Sequence, residues 1–161
     1  MPSRAIVRWR LPVAGRVAPN RSISLTWKAS FAWGEPFDPL SCNLLDTHVK
    51  RTSPVGVFRE GDTPEGLSDM TGNVMEWTSS AIRQVGSDCS YCYPYDPDDG
   101  RENPEAPADM RRVVRGGGWR SFRSVAQSAF RDKRAPEVRQ PALGFRLVVA
   151  EEPRGRGRVG S

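Results

Sequence analysis

The sequence predicts one α+β domain with few strands, one or two short helices and much ordered loop. Three observations point there. The chain carries 15 glycines and 14 prolines in 161 residues, about 18% where roughly 12% is average. Turn signals recur every few residues from Phe31 onward. No stretch sustains an apolar period long enough for an extended helix. The length suits a single domain with a real core.

Residues 1–30 stand apart from the rest. They hold six basic residues (Arg4, Arg8, Arg10, Arg16, Arg21, Lys28) and no acid. "RWRLPVAGRV" and "SISLTWKAS" read as short strands without a sustained period. "TSPVGVF" (52–58) reads as a short strand running into a loop, and "EGDTPEG" as a turn. Residues 88–109 hold four prolines and many acids, which predicts a long irregular surface loop packed through Tyr91, Tyr93 and Tyr95. "RRVVRGGGW" (111–119) predicts a strand followed by glycines. "RSVAQSAFRD" (123–132) predicts a short helix with Val125, Ala126 and Ala129 on one face. "LGFRLVV" (143–149) predicts a terminal strand with Phe145 and Leu147 on one face. The end, 151–161, reads as a disordered basic tail.

Charge narrows the function classes. The net charge is +5, but the excess sits at the two ends. Residues 31–110 carry 5 bases against 15 acids, and residues 111–146 carry 10 against 2. The basic pI therefore reads as two solvated ends on a near-neutral domain, not as a nucleic-acid surface. The opposite signs predict that the two halves attract each other on folding. No apolar run is long enough for a membrane span, and the N-terminus lacks the apolar region of a secretory signal. Three cysteines (Cys42, Cys89, Cys92) do not make a disulfide framework. "CSYC" has too few companions for a zinc site. The thiols read as incidental, which favours a reducing compartment and a cytoplasmic location. The single histidine, His48, excludes a non-haem iron site built within this chain.

"GLSDMTGNVMEWTSS" (66–80) is the segment with chemistry in it. Asp69 and Glu76 supply carboxylates, and a turn at Thr71-Gly72-Asn73 can aim the Gly72 and Val74 carbonyls at the same point. Calcium takes such mixed oxygen ligands. Met70, Val74 and Trp77 would anchor the loop in the core. On pattern alone the segment reads instead as an acidic turn before a short helix, with Asp69 or Thr71 as N-cap.

A family resemblance changes that weighting. "FAWGEPFDP", "CN", "TSPVGVF", "GLSDMTGNVMEWTSS", "YPYDPDDGRE", "RVVRGGGW" and "ALGFRLV" occur in this order. Together they resemble the sulfatase-modifying-factor family, whose founding member is the formylglycine-generating enzyme. The resemblance runs from about Phe31 to Val149. It implies a C-type-lectin-like fold over residues 31–150, with structural calcium. By position it implies calcium ligands at the Asp69 and Glu76 side chains and at the Gly72 and Val74 carbonyls. It implies a second calcium site beginning at Asn43, with the Leu44 carbonyl, and completed from "LDTHVK", where Asp46 is the acid.

The activity carries over less well. The founding enzyme oxidises a sulfatase cysteine with copper and oxygen, and two cysteines bind its copper(I). Ser121 and Ala126 stand where those cysteines would be. Neither can replace a thiolate on a soft metal ion. Copper is therefore not expected. The motif that precedes "W-G" in the family is not recognisable in residues 1–30, so the front of the domain reads as missing or replaced.

Three functions follow. The first is a non-catalytic, calcium-stabilised binding or accessory module for a protein or small-molecule ligand. Its ligand surface would be Trp119, Arg120, Ser121, Phe122 and Arg123, a mixture of aromatics and arginines typical of interfaces. Trp119 and Phe130 read more readily as core residues, whereas Arg120, Phe122 and Arg123 stay open between a ligand surface and, for the arginines, pairing with the acidic half. The second is an oxidoreductase of the formylglycine-generating kind. The third is a fragment without independent function.

Overall fold

The computed structural model describes residues 29–85, 88–91, 96, 98–103, 105–107 and 109–147. The two strands expected in residues 1–30, Tyr93, Tyr95 and the tail lie outside the described residues.

Five strands form one sheet: β1 (Met75–Val85), β2 (Asp88–Ser90), β3 (Arg111–Arg115), β4 (Asp132–Arg134) and β5 (Leu143–Gly144). The order is β2-β1-β3-β4, and β5 pairs in parallel with the start of β1. β1 and β3 run antiparallel, with Trp77 opposite Val114 and Ala81 opposite Arg112, and the register shifts between Trp77 and Ala81. β3 forms because Val113 and Val114 favour a pleated, buried surface; they are 6% and 1% exposed. Short 3₁₀ turns occupy Pro39–Ser41, Leu45–Thr47 and Arg59–Gly61.

Four expectations need correction. No α-helix occurs among the described residues, so the α part of the α+β assignment reduces to these 3₁₀ turns. Residues 123–131 form successive turns, with Ala126 buried and Ala129 exposed. Gly117 has a φ of +67°, and a Cβ there would lie 2.8 Å from the Ala126 Cβ. This close approach ties the segment down one residue at a time, where a short amphipathic pattern alone cannot hold a helix. The segment 52–58 makes turns and no strand. The terminal strand stops at Gly144, beyond which Phe145 and Leu147 are exposed.

The core is small and mixed. Cys42, Leu44 and Ala126 form its buried centre, with Trp33 and Phe37 packed against it. Phe31 stacks on Trp33 with centroids 5.3 Å apart. Ser41, Asn43, Thr71, Asn73, Glu76, Thr78, Arg101 and Arg112 are buried alongside these apolar groups. Buried polar groups require partners, which loops and strand carbonyls supply. Arg112 donates to the Ser79 and Asn103 carbonyls, and Arg101 forks onto Asp99.

Candidate functional site

The loop 66–76 leads directly into β1, and not into a helix as its pattern suggests. Gly72 has a φ of +90°, and a Cβ there would come within 2.6 Å of the Asn43 carbonyl oxygen. Asn73 follows with a φ of +62°. Its N–H donates to the Asn43 carbonyl (2.8 Å), and its carbonyl accepts from the Trp119 N–H (2.9 Å). Its side chain accepts from the Ser53 N–H and donates to the Ser53 carbonyl. Thr71 Oγ1 accepts from the Ala32 N–H (3.1 Å). The loop is therefore anchored by its polar residues. Met70, Val74 and Trp77, expected as the anchors, are only half-buried.

Asp69, Val74 and Glu76 line one cleft of about 150 Å³, together with Val55, Ser68, Asn73, Phe145 and Arg146. Asp69 Oδ2 accepts from the Gly56 N–H (2.8 Å). Glu76 is 6% exposed. Arg146 lies against it: Nε reaches both carboxylate oxygens (2.9 and 2.7 Å) and Nη2 reaches Oε1 (2.5 Å). Nη2 also donates to the Ser68 and Asp69 carbonyls. This pair joins the acidic half of the sequence to the basic half. The motif "LGFR" contains Arg146, but no sequence signal shows that its guanidinium turns inward to an acid 70 residues away.

The oxygens suit calcium in kind. Glu76 and Asp69 are carboxylates on one cleft, and the Gly72 and Val74 carbonyls accept no backbone hydrogen bond among the described residues. Arg146 already balances the Glu76 charge, so an ion here would share that carboxylate with a guanidinium. At the second expected site, Asn43 is fully buried and its Oδ1 has no partner among the described residues. Its amide nitrogen is engaged by the Arg51 carbonyl and Ser53 Oγ. The Leu44 carbonyl already accepts from Thr47, at 2.6 Å from Oγ1 and 3.2 Å from N, and Asp46 is exposed. The orphaned Asn43 oxygen fits a cation or a water; the Leu44 carbonyl is already in use.

The loop 119–123 lies beside the aromatic cluster. The Ser121 carbonyl accepts from the Leu45 N–H (3.1 Å), and Ser121 Oγ accepts from the Gly118 N–H (3.0 Å). The Arg120 guanidinium sits 5.4 Å from the centre of the Trp119 ring, and that of Arg123 sits 5.7 Å from Phe37. Phe122 is 64% exposed. Trp119 is half-buried, with Nε1 lacking a partner among the described residues, and Phe130 is half-buried. Cys42 is buried, and burial beside Asp38 and Asp46 pushes its thiol up to about 12.

Comparison with known proteins places this geometry in a family. A profile for the sulfatase-modifying factor enzyme 1-like domain matches residues 8–151. The match reaches upstream of Phe31, into the segment that sequence reading set apart. The hercynine oxygenase of Mycolicibacterium smegmatis is 30% identical over 124 residues, covering 73% of this chain and 27% of that protein. The serine/threonine-protein kinase pkn1 of Chlamydia pneumoniae is 29% identical over 143 residues, covering 87% of this chain and 19% of that one. The chain thus spans about a quarter or less of these relatives. Among solved structures, Treponema denticola variable protein 1 shares the fold with a TM-score of 0.53 at 23% identity, covering 71% of this chain and 39% of that one. With a profile match across most of its length and a shared fold, the chain belongs to the sulfatase-modifying factor enzyme 1-like domain family.

Proposed function

We propose that this domain is a non-catalytic, calcium-stabilised recognition or accessory module of its family. The observation that carries the reading is the state of the two copper positions. Ser121 Oγ is spent on the Gly118 N–H, and Ala126 is packed against Gly117. Neither offers a thiolate. The nearby Cys42 is buried, and its raised pKa keeps it a thiol. Asp69, Glu76 and the Gly72 and Val74 carbonyls would hold the ion. Bound calcium would supply positive charge that ties the loop 66–76 to β1. A second ion would draw on Asn43 Oδ1. The ligand surface is the loop 119–123, and the unpaired buried thiol of Cys42 suits a reducing compartment. No described helix is long and apolar enough to cross a membrane.

The likeness to hercynine oxygenases favours a second reading, in which the chain contributes one domain to a larger oxidoreductase. Its own histidine, His48, is exposed.

Thermal unfolding with calcium and with chelator, alongside oxygen uptake with copper(I) or iron(II) added, tests both. A native-state ligand at about 100 times its dissociation constant adds about 2.7 kcal/mol, a shift of several degrees. The expected result is a calcium-dependent rise abolished by Glu76→Ala, and no oxygen uptake. A cooperative melt indifferent to calcium removes the ion. Metal-dependent oxygen uptake by the chain overturns the non-catalytic reading.

A further inference from the structure

The loop 119–123 presents two guanidinium groups, each over an aromatic ring, with the exposed Phe122 between them in sequence. Arg120 lies over Trp119 and Arg123 over Phe37, and both arginine side chains are exposed. A guanidinium over an aromatic face is held by the ring quadrupole, and its N–H donors remain available at the edge. Neither arginine forms an ion pair with a described carboxylate. Asp38, next to Phe37 in the chain, and Asp132, nine residues after Arg123, are both occupied. Asp38 accepts from the Leu40 N–H and Ser41 Oγ, which hold its pKa below the ordinary value. Asp132 pairs with Arg134 at 2.6 Å.

The loop is also preorganised. Its backbone is fixed at Trp119 by Asn73, at Ser121 by Leu45 and Gly118, and at Phe122 and Arg123 by the Val125 and Ala126 N–H groups. Little ordering cost then remains when a partner binds. We infer that this surface recognises a short acidic polypeptide segment bearing an apolar side chain, its carboxylates taken by Arg120 and Arg123 and its apolar group laid on Phe122. The inference rests on the recognition reading above and gives it a partner chemistry.

One feature favours a short acidic peptide over an extended polyanion. The surrounding charge limits the length of an anion: residues 31–110 hold 15 acids against 5 bases. A polyphosphate strand extending beyond the basic segment would meet that acidic half and be repelled.

The test is selection of random peptides displayed on phage against the immobilised full chain. Binding of the enriched peptides is then compared with the Arg120→Gln/Arg123→Gln, Arg120→Lys/Arg123→Lys and Phe122→Ser variants. Circular dichroism and melting establish that each variant is folded. Should the glutamine variant fail to fold, the charge-preserving lysine variant and Phe122→Ser carry the comparison. The expected peptides are rich in Asp and Glu around an aromatic or aliphatic residue. They bind the glutamine variant about tenfold more weakly, the equivalent of two modest charge-assisted contacts. Their binding weakens as salt rises, and the lysine variant falls between. Peptides that depend on this loop but show no acidic bias overturn the acidic assignment and leave the recognition reading standing. Peptides insensitive to all three variants, or no enrichment, overturn both. Displacement of acidic peptides by single-stranded DNA of equal or higher affinity overturns the polypeptide assignment.

Discussion

Three distant chain segments meet at Asn73. Its backbone and side chain together hold Asn43, Ser53 and Trp119, and it does so from a left-handed conformation. Asn tolerates that conformation better than other side-chain-bearing residues. Asn73→Ala is expected to cost about 2 kcal/mol or more, because the Ser53 N–H and carbonyl lose their partners and alanine is strained at positive φ. Asn73→Gly removes only the hydrogen bonds, so comparing the two by urea denaturation separates the terms. Cys42 makes the opposite kind of statement. Its thiol titrates at about 12, raised from 9.0 mainly by burial. The neutral thiol is thus favoured in the folded state. The associated stability is intact below pH 9 and is lost as pH rises toward 12. Site-resolved mass spectrometry at pH 8 should find Cys42 resistant to iodoacetamide in the native chain and reactive once urea unfolds it. Equal rates in both states would contradict its burial.

At the scale of elements, the segment 66–80 shows how far sequence reading goes. Its turn at Gly72-Asn73 is legible because few residues other than Gly and Asn accept those angles. The strand that follows is not. "MEWTSSAIRQV" lacks strict alternation, and it becomes β1 because β3 and β5 pair with it. Tertiary pairing overrides local preference here. The same holds for Arg146, whose position on Glu76 depends on β5 lying parallel to β1. Arg146→Met is expected to destabilise the fold by about 3 kcal/mol, since it leaves Glu76 charged and nearly buried. The double substitution Glu76→Leu/Arg146→Met should recover part of that loss. A single substitution without measurable cost would show that the pair is not a brace. If calcium binds the loop, Arg146→Met should also enlarge the calcium-induced shift in melting temperature, because the guanidinium no longer competes for Glu76.

For the whole molecule, stability comes from a central sheet pair and a small core in which hydrogen-bonded polar groups stand beside apolar ones. Ala81, Val113 and Val114 are buried where β1 and β3 pair. Their amides are expected to be among the slowest to exchange in native-state hydrogen exchange, with those of the turns at 52–58 far faster. Uniform protection across these regions would contradict a stability centred on the sheet.

The sequence by itself determined the family, the loop-rich character, the strand at Arg111–Arg115, the tight turn at Gly72-Asn73 and the separation of acidic from basic halves. These properties reside in local composition, backbone angles and motif order, which a linear chain displays directly. The tertiary structure alone decided that 75–85 is a strand, that 123–131 is a series of turns, and that Arg146 neutralises Glu76. It alone brought Arg123 over Phe37. Each of these depends on contacts between residues far apart in the chain, and in a fold with so little regular structure those contacts, more than local propensity, set the conformation.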